Sequence, residues 1–131
     1  MKYLLSLTAL ALIIFACSSK LTEQEYYNKA KEAYSAQKFD IAVNNFKAIA
    51  ENYQQGKHHS ESLFMLGFIY ANDLKNLDEA KKYYTEFVTK YPKHDLADDA
   101  KYEIETLGKD INELPIFQNA TADSVVETPA N

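Results

Sequence analysis

The sequence is poor in turn-forming residues, with three glycines and three prolines, and it has one cysteine and no tryptophan. Sandwiches, barrels and collagen-like chains need many more such residues, so these folds are excluded. A single cysteine cannot form a disulfide within the chain. The formal charge of −5 argues against nucleic acid as a partner, because that partner needs a basic surface. The length of 131 residues allows one small domain.

The common motifs of catalysis and cofactor binding are also missing. The sequence contains no glycine-rich phosphate loop, no zinc-protease helix motif and no nucleophile elbow. His58 and His59 stand close to Glu61 and could bind a metal, but adjacent histidines in an exposed loop are more often simply solvated. We therefore expect no enzyme and no cofactor, and we keep metal or ligand binding as the weakest alternative.

Residues 63–92 combine large apolar side chains at helical spacing with two small residues, Gly67 and Ala80. Small side chains would let two antiparallel helices approach closely. Pro92 cannot continue a helix, so the second helix is expected to stop before it. The side chains that would fill the space around the small residues are Leu63, Leu66, Tyr70, Tyr84 and Phe87.

An earlier stretch repeats this plan. Five apolar positions recur at a spacing of 38 residues. In order, Phe39, Ala42, Phe46, Ile49 and Tyr53 correspond to Leu77, Ala80, Tyr84, Phe87 and Tyr91. The preceding helices match at a spacing of 37, with Ala30 on Gly67. The one-residue difference predicts an extended turn within residues 71–76, because a longer surface turn costs little closure entropy.

Local signals predict where the helices begin and end. Thr22 followed by Glu25 has the pattern of a capping box at the start of the first helix. Gly56 is expected to end the second helix in a left-handed conformation. Ser60 or Ser62 is expected to cap the third.

A further helical run follows Pro92. We expect a closing helix over residues 95–113, with Asp95 as its cap, Gly108 as a point where it can break and Pro115 as its end. Stacked repeats need a terminal element with one polar face, and this helix would supply it. Residues 115–131 are small, polar and aperiodic, so they are predicted to be disordered. The apolar stripe of the helix is Leu96, Ala100, Ile104, Leu107, Ile111 and Leu114.

Residues 63–92 resemble the tetratricopeptide repeat, a helix-turn-helix unit with Leu-Gly, Tyr, Ala, an aromatic residue and Pro at set spacings. The matching residues are Leu63, Leu66, Gly67, Tyr70, Ala80, Tyr84 and Pro92. The resemblance implies an all-α superhelical domain over residues 22–114. Its parts would be one repeat over residues 22–55, a second over 58–92, and the closing helix.

The resemblance also implies a binding groove lined by the first helix of each repeat. The groove would take a peptide or helix of a protein partner, with its aromatic residues as anchors. For Tyr34 and Phe64, packing between helices is the alternative. The implied groove positions are Gln24, Tyr27, Lys31, Tyr34, Ser35, Glu61, Phe64, Phe68, Ala71 and Asn72.

Residues 1–16 have the pattern of a secretory signal, with Lys2 before an apolar segment too short for a bilayer span of about 20 residues. Ile14, Ala16 and Cys17 stand at the spacing found in the lipobox, and this segment resembles that of bacterial lipoproteins. The resemblance implies a diacylglyceryl-modified, N-acylated Cys17 and a short tether over residues 17–21. An ordinary signal peptide with an incidental cysteine is the alternative.

In that family, a residue such as Ser18 after the cysteine implies attachment to the outer membrane, facing the periplasm, in a host with two membranes. The segments 84–92 and 95–100 are similar to those of envelope repeat proteins. These include the lipoprotein of the outer-membrane β-barrel assembly machinery and the periplasmic protein associated with the Tol–Pal system. The likeness implies a scaffold that binds another envelope protein.

A self-associating structural subunit is the alternative, because about three stacked repeats are usually needed for stability. A second copy of the chain would then supply the missing neighbour and make a homo-oligomer.

Overall fold

The computed structural model describes residues 20–109, and this part of the chain folds into five α-helices without a strand. The helices are α1 Glu23–Ser35, α2 Phe39–Asn52, α3 His59–Asn72, α4 Leu77–Lys90 and α5 Ala97–Thr106. Successive helices pack against each other along the chain, and the pairs α1 with α2 and α3 with α4 are the most extensive. The predicted all-α architecture of two helical repeats and a closing helix is confirmed. The predicted signal peptide, the lipidated Cys17 and the tail over residues 115–131 lie outside the described residues.

The first helix begins at the predicted capping box. The Thr22 side chain accepts a hydrogen bond from the Glu25 backbone N–H, and the Glu25 carboxylate accepts one from the Thr22 N–H at 2.8 Å. The Thr22 N–H and the Thr22 hydroxyl both donate to the Glu25 carboxylate and lower its pKa, because they stabilise its charged form. Local sequence alone therefore fixes where α1 starts.

Small residues bring the paired helices together as predicted. Gly67 is buried on α3, and a Cβ atom there would lie only 2.6 Å from the Tyr84 ring on α4. Ala80 is fully buried in the same pair. Ala30 and Ala42 are fully buried in the first pair, so both pairs depend on small side chains for close approach.

The two turns differ by one residue, which confirms the predicted extension. The first turn spans residues 36–38 and the second spans 73–76. Each contains one residue in the left-handed region, Gln37 at φ 56° and Lys75 at φ 55°. Asn76 ends the longer turn, and its side chain accepts a hydrogen bond from the Glu79 N–H at 3.2 Å.

The loop between the repeats corrects two predictions. Gly56 does not adopt a left-handed conformation; a Cβ atom there would lie 2.3 Å from the Glu23 carboxylate, so a larger residue would have to displace the end of that side chain. Neither Ser60 nor Ser62 caps α3. The N-cap residue is His58, and Ser62 lies inside the helix, where its hydroxyl donates to the His58 carbonyl at 2.7 Å.

The closing helix is shorter than predicted. It starts at Ala97 and ends at Thr106, not over residues 95–113. Asp95 does not cap it; the Leu96 N–H instead donates to Nδ1 of His94 at 3.2 Å. Gly108 adopts a left-handed conformation at φ 76°, which glycine accepts without steric cost, so the chain leaves the helix there.

None of the helices in residues 20–109 has both the length and the apolar character needed to cross a membrane.

Candidate partner-binding groove

The first helices of the two repeats enclose a pocket of about 100 Å³. Its lining is Lys31, Tyr34, Ser35, Phe46, Glu61 and Met65. Four of these six residues, Lys31, Tyr34, Ser35 and Glu61, were predicted groove positions. The structure therefore brings side chains from separate repeats to one concave site between α1 and α3.

Tyr27 joins the two helices through Glu61, which lines this site. Its hydroxyl donates to Oε1 of Glu61 at 2.5 Å, and its ring stacks on the His58 ring with centroids 3.8 Å apart. Burial, together with the hydrogen bond to Glu61, raises the pKa of Tyr27 to about 12. Only 8% of Tyr27 is exposed, so it links α1 to α3 from within the core and is not an exposed anchor.

Gln24 belongs to the same network. Its Oε1 lies 3.0 Å from Nε2 of His58, which holds the start of α3 against the first turn of α1. Lys31 places its ammonium group 5.2 Å from the centre of the Tyr27 ring and stays exposed to solvent. The site thus presents a cation at Lys31 and a carboxylate at Glu61 beside a mainly apolar pocket.

Tyr34 and Phe68 form the aromatic part of the groove. Their rings meet edge to face with centroids 6.5 Å apart, and both side chains are half-buried. Tyr34 also packs on Phe39 at 5.8 Å, so the interhelical packing considered for it is present as well. Burial is the main cause of the raised pKa of Tyr34.

Phe64 and Asn72 occupy other places. The Phe64 ring packs edge to face on Tyr84 and Phe87, each at 5.5 Å, which is the packing alternative given for it above. Asn72 is exposed, and its amide donates to the Phe68 carbonyl at 3.0 Å. Ala71, on the same helix, is buried. Phe64 therefore belongs to the core of the second repeat.

Met65 belongs to the site but was not among the predicted groove positions. Met65 lines the pocket, and its signal was the helical spacing of Glu61, Met65 and Phe68 along one stripe. Met65 therefore extends the apolar character of the groove beyond the predicted set. On α5, whose N-cap Leu96 stands 38 residues after the N-cap His58 of α3, Tyr102 corresponds to Phe64, and 53% of it is exposed.

The two adjacent histidines are not solvated, which corrects the prediction for this loop. His59 is fully buried, and His58 is 9% exposed. Nε2 of His59 lies 3.2 Å from the Ala50 carbonyl, so that nitrogen carries the proton and Nδ1 accepts from the Tyr91 hydroxyl at 2.6 Å. Each ring is thus engaged by its own protein partners, and residues 20–109 contain no group of three or more potential metal ligands.

Part of this architecture matches a known protein family. Residues 61–94 match the family described as Tetratricopeptide repeat. The chain contains a tetratricopeptide repeat. The match covers most of α3, all of α4 and the turn between them. Searches of curated proteins and of solved structures gave no match.

Tetratricopeptide repeats generally mediate protein–protein interactions, and proteins built from them are typically non-enzymatic scaffolds. The pair α1 and α2 follows the same helix-turn-helix plan beside the matched repeat. The concave site described above lies between these two pairs.

Proposed function

We propose that the protein is a membrane-anchored scaffold of the bacterial cell envelope that binds another envelope protein. The observation that carries the binding part is the apolar pocket between α1 and α3, with Tyr34, Met65 and Phe68 around it. These side chains come from two repeats that are tied together by Tyr27 and Glu61. A site fixed before binding loses less conformational entropy when a partner docks.

The groove chemistry suggests a partner segment with apolar side chains. Lys31 is the clear basic residue of the site, and Glu61 lies in the same lining. A groove of this kind does not provide the several cations that would hold a terminal carboxylate. Tyr34 and Phe68 instead offer aromatic surface, the type of residue that dominates binding energy at protein interfaces.

The anchoring part of the proposal rests on the sequence. Ile14, Ala16 and Cys17 have the lipobox spacing, and Ser18 follows. Acyl chains buried in the membrane contribute about 0.8 kcal/mol per methylene, and stable anchoring needs more than one chain. A diacylglyceryl group plus an N-acyl chain on Cys17 satisfies that need. By the sorting rule given above, Ser18 favours the outer membrane.

Site-specific photocrosslinking in living cells tests the binding role. A photoreactive amino acid at Met65 or Phe68 is expected to capture the same partner, whereas one at the exposed Lys81 on α4 is not. Phe68→Ala should reduce the crosslink formed at position 65 while the helical circular dichroism signal is retained. Equal capture from Lys81, or no effect of Phe68→Ala, would remove the groove from the proposal.

The self-associating alternative has one structural argument against it at the α1 end. Lys29 and Glu32 are exposed on α1 at the places where α3 buries Leu66 and Ile69 against its neighbours. A second copy stacked there would have to desolvate both charges. Light scattering on residues 18–131 separates the two functions, since a stable dimer at micromolar concentration would favour self-association.

A further inference from the structure

The start of the described chain is held against the end of α2. The Tyr53 hydroxyl donates to the Leu21 carbonyl at 2.5 Å, and the Lys20 ammonium group donates to the Asn52 side chain. These contacts fix residues 20 and 21 beside the loop that leaves α2. Only residues 18 and 19 therefore separate Cys17 from this fixed part of the chain.

The loops between helical pairs lie at this same edge of the domain. Glu23 accepts a hydrogen bond from the His58 N–H at 2.6 Å, and His59 contacts the Tyr91 hydroxyl at 2.6 Å. Gln54 and Lys90 line one shared pocket, which places the two loops side by side. We call residues 20–22, 53–58 and 91–96 the loop edge.

The turns within the pairs lie at the opposite end of the helices. Leu74 lines a pocket together with Gln37 and Lys38, so the two turns are neighbours. Gly108 lies close to Leu77 at the start of α4. We call residues 36–38, 73–76 and 107–109 the turn edge. Helices of 13 and 14 residues separate the two edges by about 20 Å.

The reach of the tether decides which edge can lie at a membrane. Cys17 and Lys20 are three residues apart, and a fully extended chain of that length spans at most about 11 Å. A lipid on Cys17 therefore keeps Lys20 and the loop edge near the bilayer surface. The turn edge is farther away by most of the length of a helix.

We propose that the loop edge faces the lipid headgroups, with the ammonium groups of Lys57 and Lys93 directed toward anionic phospholipids. Both lysines are exposed on this edge, whereas the Lys20 ammonium group is engaged by Asn52. Exposed carboxylates at the same end of the helices, those of Glu25, Glu51, Asp95, Asp98 and Asp99, oppose this attraction. The tether is therefore the cause of the orientation, and Lys57 and Lys93 meet the headgroups that it brings close. This inference rests on the lipid anchor at Cys17 proposed above.

The orientation also places the partner. In this orientation the helix axes are roughly perpendicular to the membrane surface. The groove between α1 and α3 then has a membrane-proximal end at Glu61 and a distal end at Asn72. A segment that lies across successive first helices would then run along the bilayer surface. The pocket at Lys31 and Met65 lies between the two ends.

The test uses the full chain produced with its lipid and incorporated into vesicles that contain an anionic phospholipid and a headgroup-labelled nitroxide quencher. The natural sequence has one cysteine, and the anchor consumes it, so a cysteine introduced as Lys57→Cys or Lys93→Cys takes a fluorophore at a single place. Lys38→Cys and Lys75→Cys are matched controls on the turn edge, with the same loss of charge. Quenching several-fold stronger at positions 57 and 93 is expected.

Two failures can be told apart. Equal quenching at both edges, or stronger quenching at the turn edge, in a protein whose mass shows lipid on Cys17 would overturn the orientation and leave the anchor in place. An unmodified Cys17 in the mature chain would overturn the anchor and the orientation together. Stronger loop-edge quenching in anionic than in zwitterionic vesicles, weakened by salt, would support the role of the lysines.

Discussion

The two helical pairs share a backbone plan but differ in the side chains that maintain it. Tyr53 ends α2 at φ −130° and ψ 48°, and Tyr91 ends α4 at φ −128° and ψ 56°. Pro92 follows Tyr91, whereas Gln54 follows Tyr53. The same helix end therefore forms with and without proline, so proline is not required for it.

The surroundings of the pairs also differ. The first helix of the second pair, α3, packs extensively against both α2 and α4. Within residues 20–109, the first helix of the first pair, α1, packs extensively only against α2. Accordingly α3 buries Leu66 and Ile69 where α1 exposes Lys29 and Glu32. Position in the stack, more than membership of the repeat, determines which side chains must be apolar.

Overpacking either pair should give the largest loss of stability. Ala80 and its counterpart Ala42 are both fully buried between paired helices. Ala80→Leu and Ala42→Leu are each expected to lower the free energy of unfolding by about 1–3 kcal/mol, because the helices must separate to admit the larger side chain. Urea denaturation measures this, with Thr85→Leu as an exposed control. An unchanged midpoint for Ala80→Leu would contradict the helix pairing.

The tyrosines that end α2 and α4 should respond differently to loss of their hydroxyl groups. Tyr91→Phe leaves a ring nitrogen of the buried His59 without its partner, at an expected cost of about 1–3 kcal/mol. Tyr53→Phe frees the half-exposed Leu21 carbonyl, which water can reach, so we expect about 0.5–1.5 kcal/mol. Equal losses in thermal or urea unfolding would count against the contrast between the two pairs.

Acid should weaken the second pair through His59, because the Tyr91 hydroxyl meets a histidine whereas the Tyr53 hydroxyl of the first pair meets the Leu21 carbonyl. Burial lowers the pKa of His59 below its ordinary 6.5, and Lys90 adds to this. The unfolded state then binds more protons as the pH falls below 6.5, so stability decreases until the pH passes the folded-state pKa. Unfolding of wild type and His59→Gln from pH 7 to about pH 5 measures this. The variant should lose part of the pH dependence.

Most substitutions in a protein core lower its stability, but removal of one buried hydroxyl should raise it here. The two variants to compare are Tyr84→Phe and, at the corresponding position of the first pair, Phe46→Tyr. The Tyr84 hydroxyl is buried without a hydrogen-bond partner in residues 20–109. Phe46 fills the same place in the first pair and has no hydroxyl group. Tyr84→Phe is expected to raise the free energy of unfolding by about 1 kcal/mol. Phe46→Tyr should lower it. A loss of stability in Tyr84→Phe would show that the hydroxyl is satisfied.

The smallest expected effect concerns the residue after each closing tyrosine. Gln54→Pro should stabilise the protein by about 0.4–1 kcal/mol, because Tyr53 already has the backbone conformation of Tyr91 and proline restricts the unfolded chain. Pro92→Gln should lose a similar amount. Opposite shifts of the melting temperature in the two variants would support this, and destabilisation by Gln54→Pro would refute the equivalence of the helix ends.

Part of the groove was predictable from the sequence, and part was not. The 37-residue match placed Phe64 on Tyr27, and these two residues do play corresponding roles, since each packs its ring on an aromatic residue of the following helix. Tyr27 additionally reaches Glu61 through its hydroxyl, which Phe64 lacks. Met65, one position further, lines the pocket. One residue along a helix is a rotation of about 100°, so a correct alignment can still assign the wrong side chain to the surface.

The sequence by itself determined where helices form and that they come in two matching pairs, because helical periodicity, the Thr22 cap and the small residues at Gly67 and Ala80 act within a few turns of chain. Only the tertiary structure decided that His58 and His59 are buried. Their burial depends on Tyr27 and Tyr91, which reach them from more than thirty residues away in either direction. Local preference cannot encode such contacts, since they exist only after neighbouring repeats have packed.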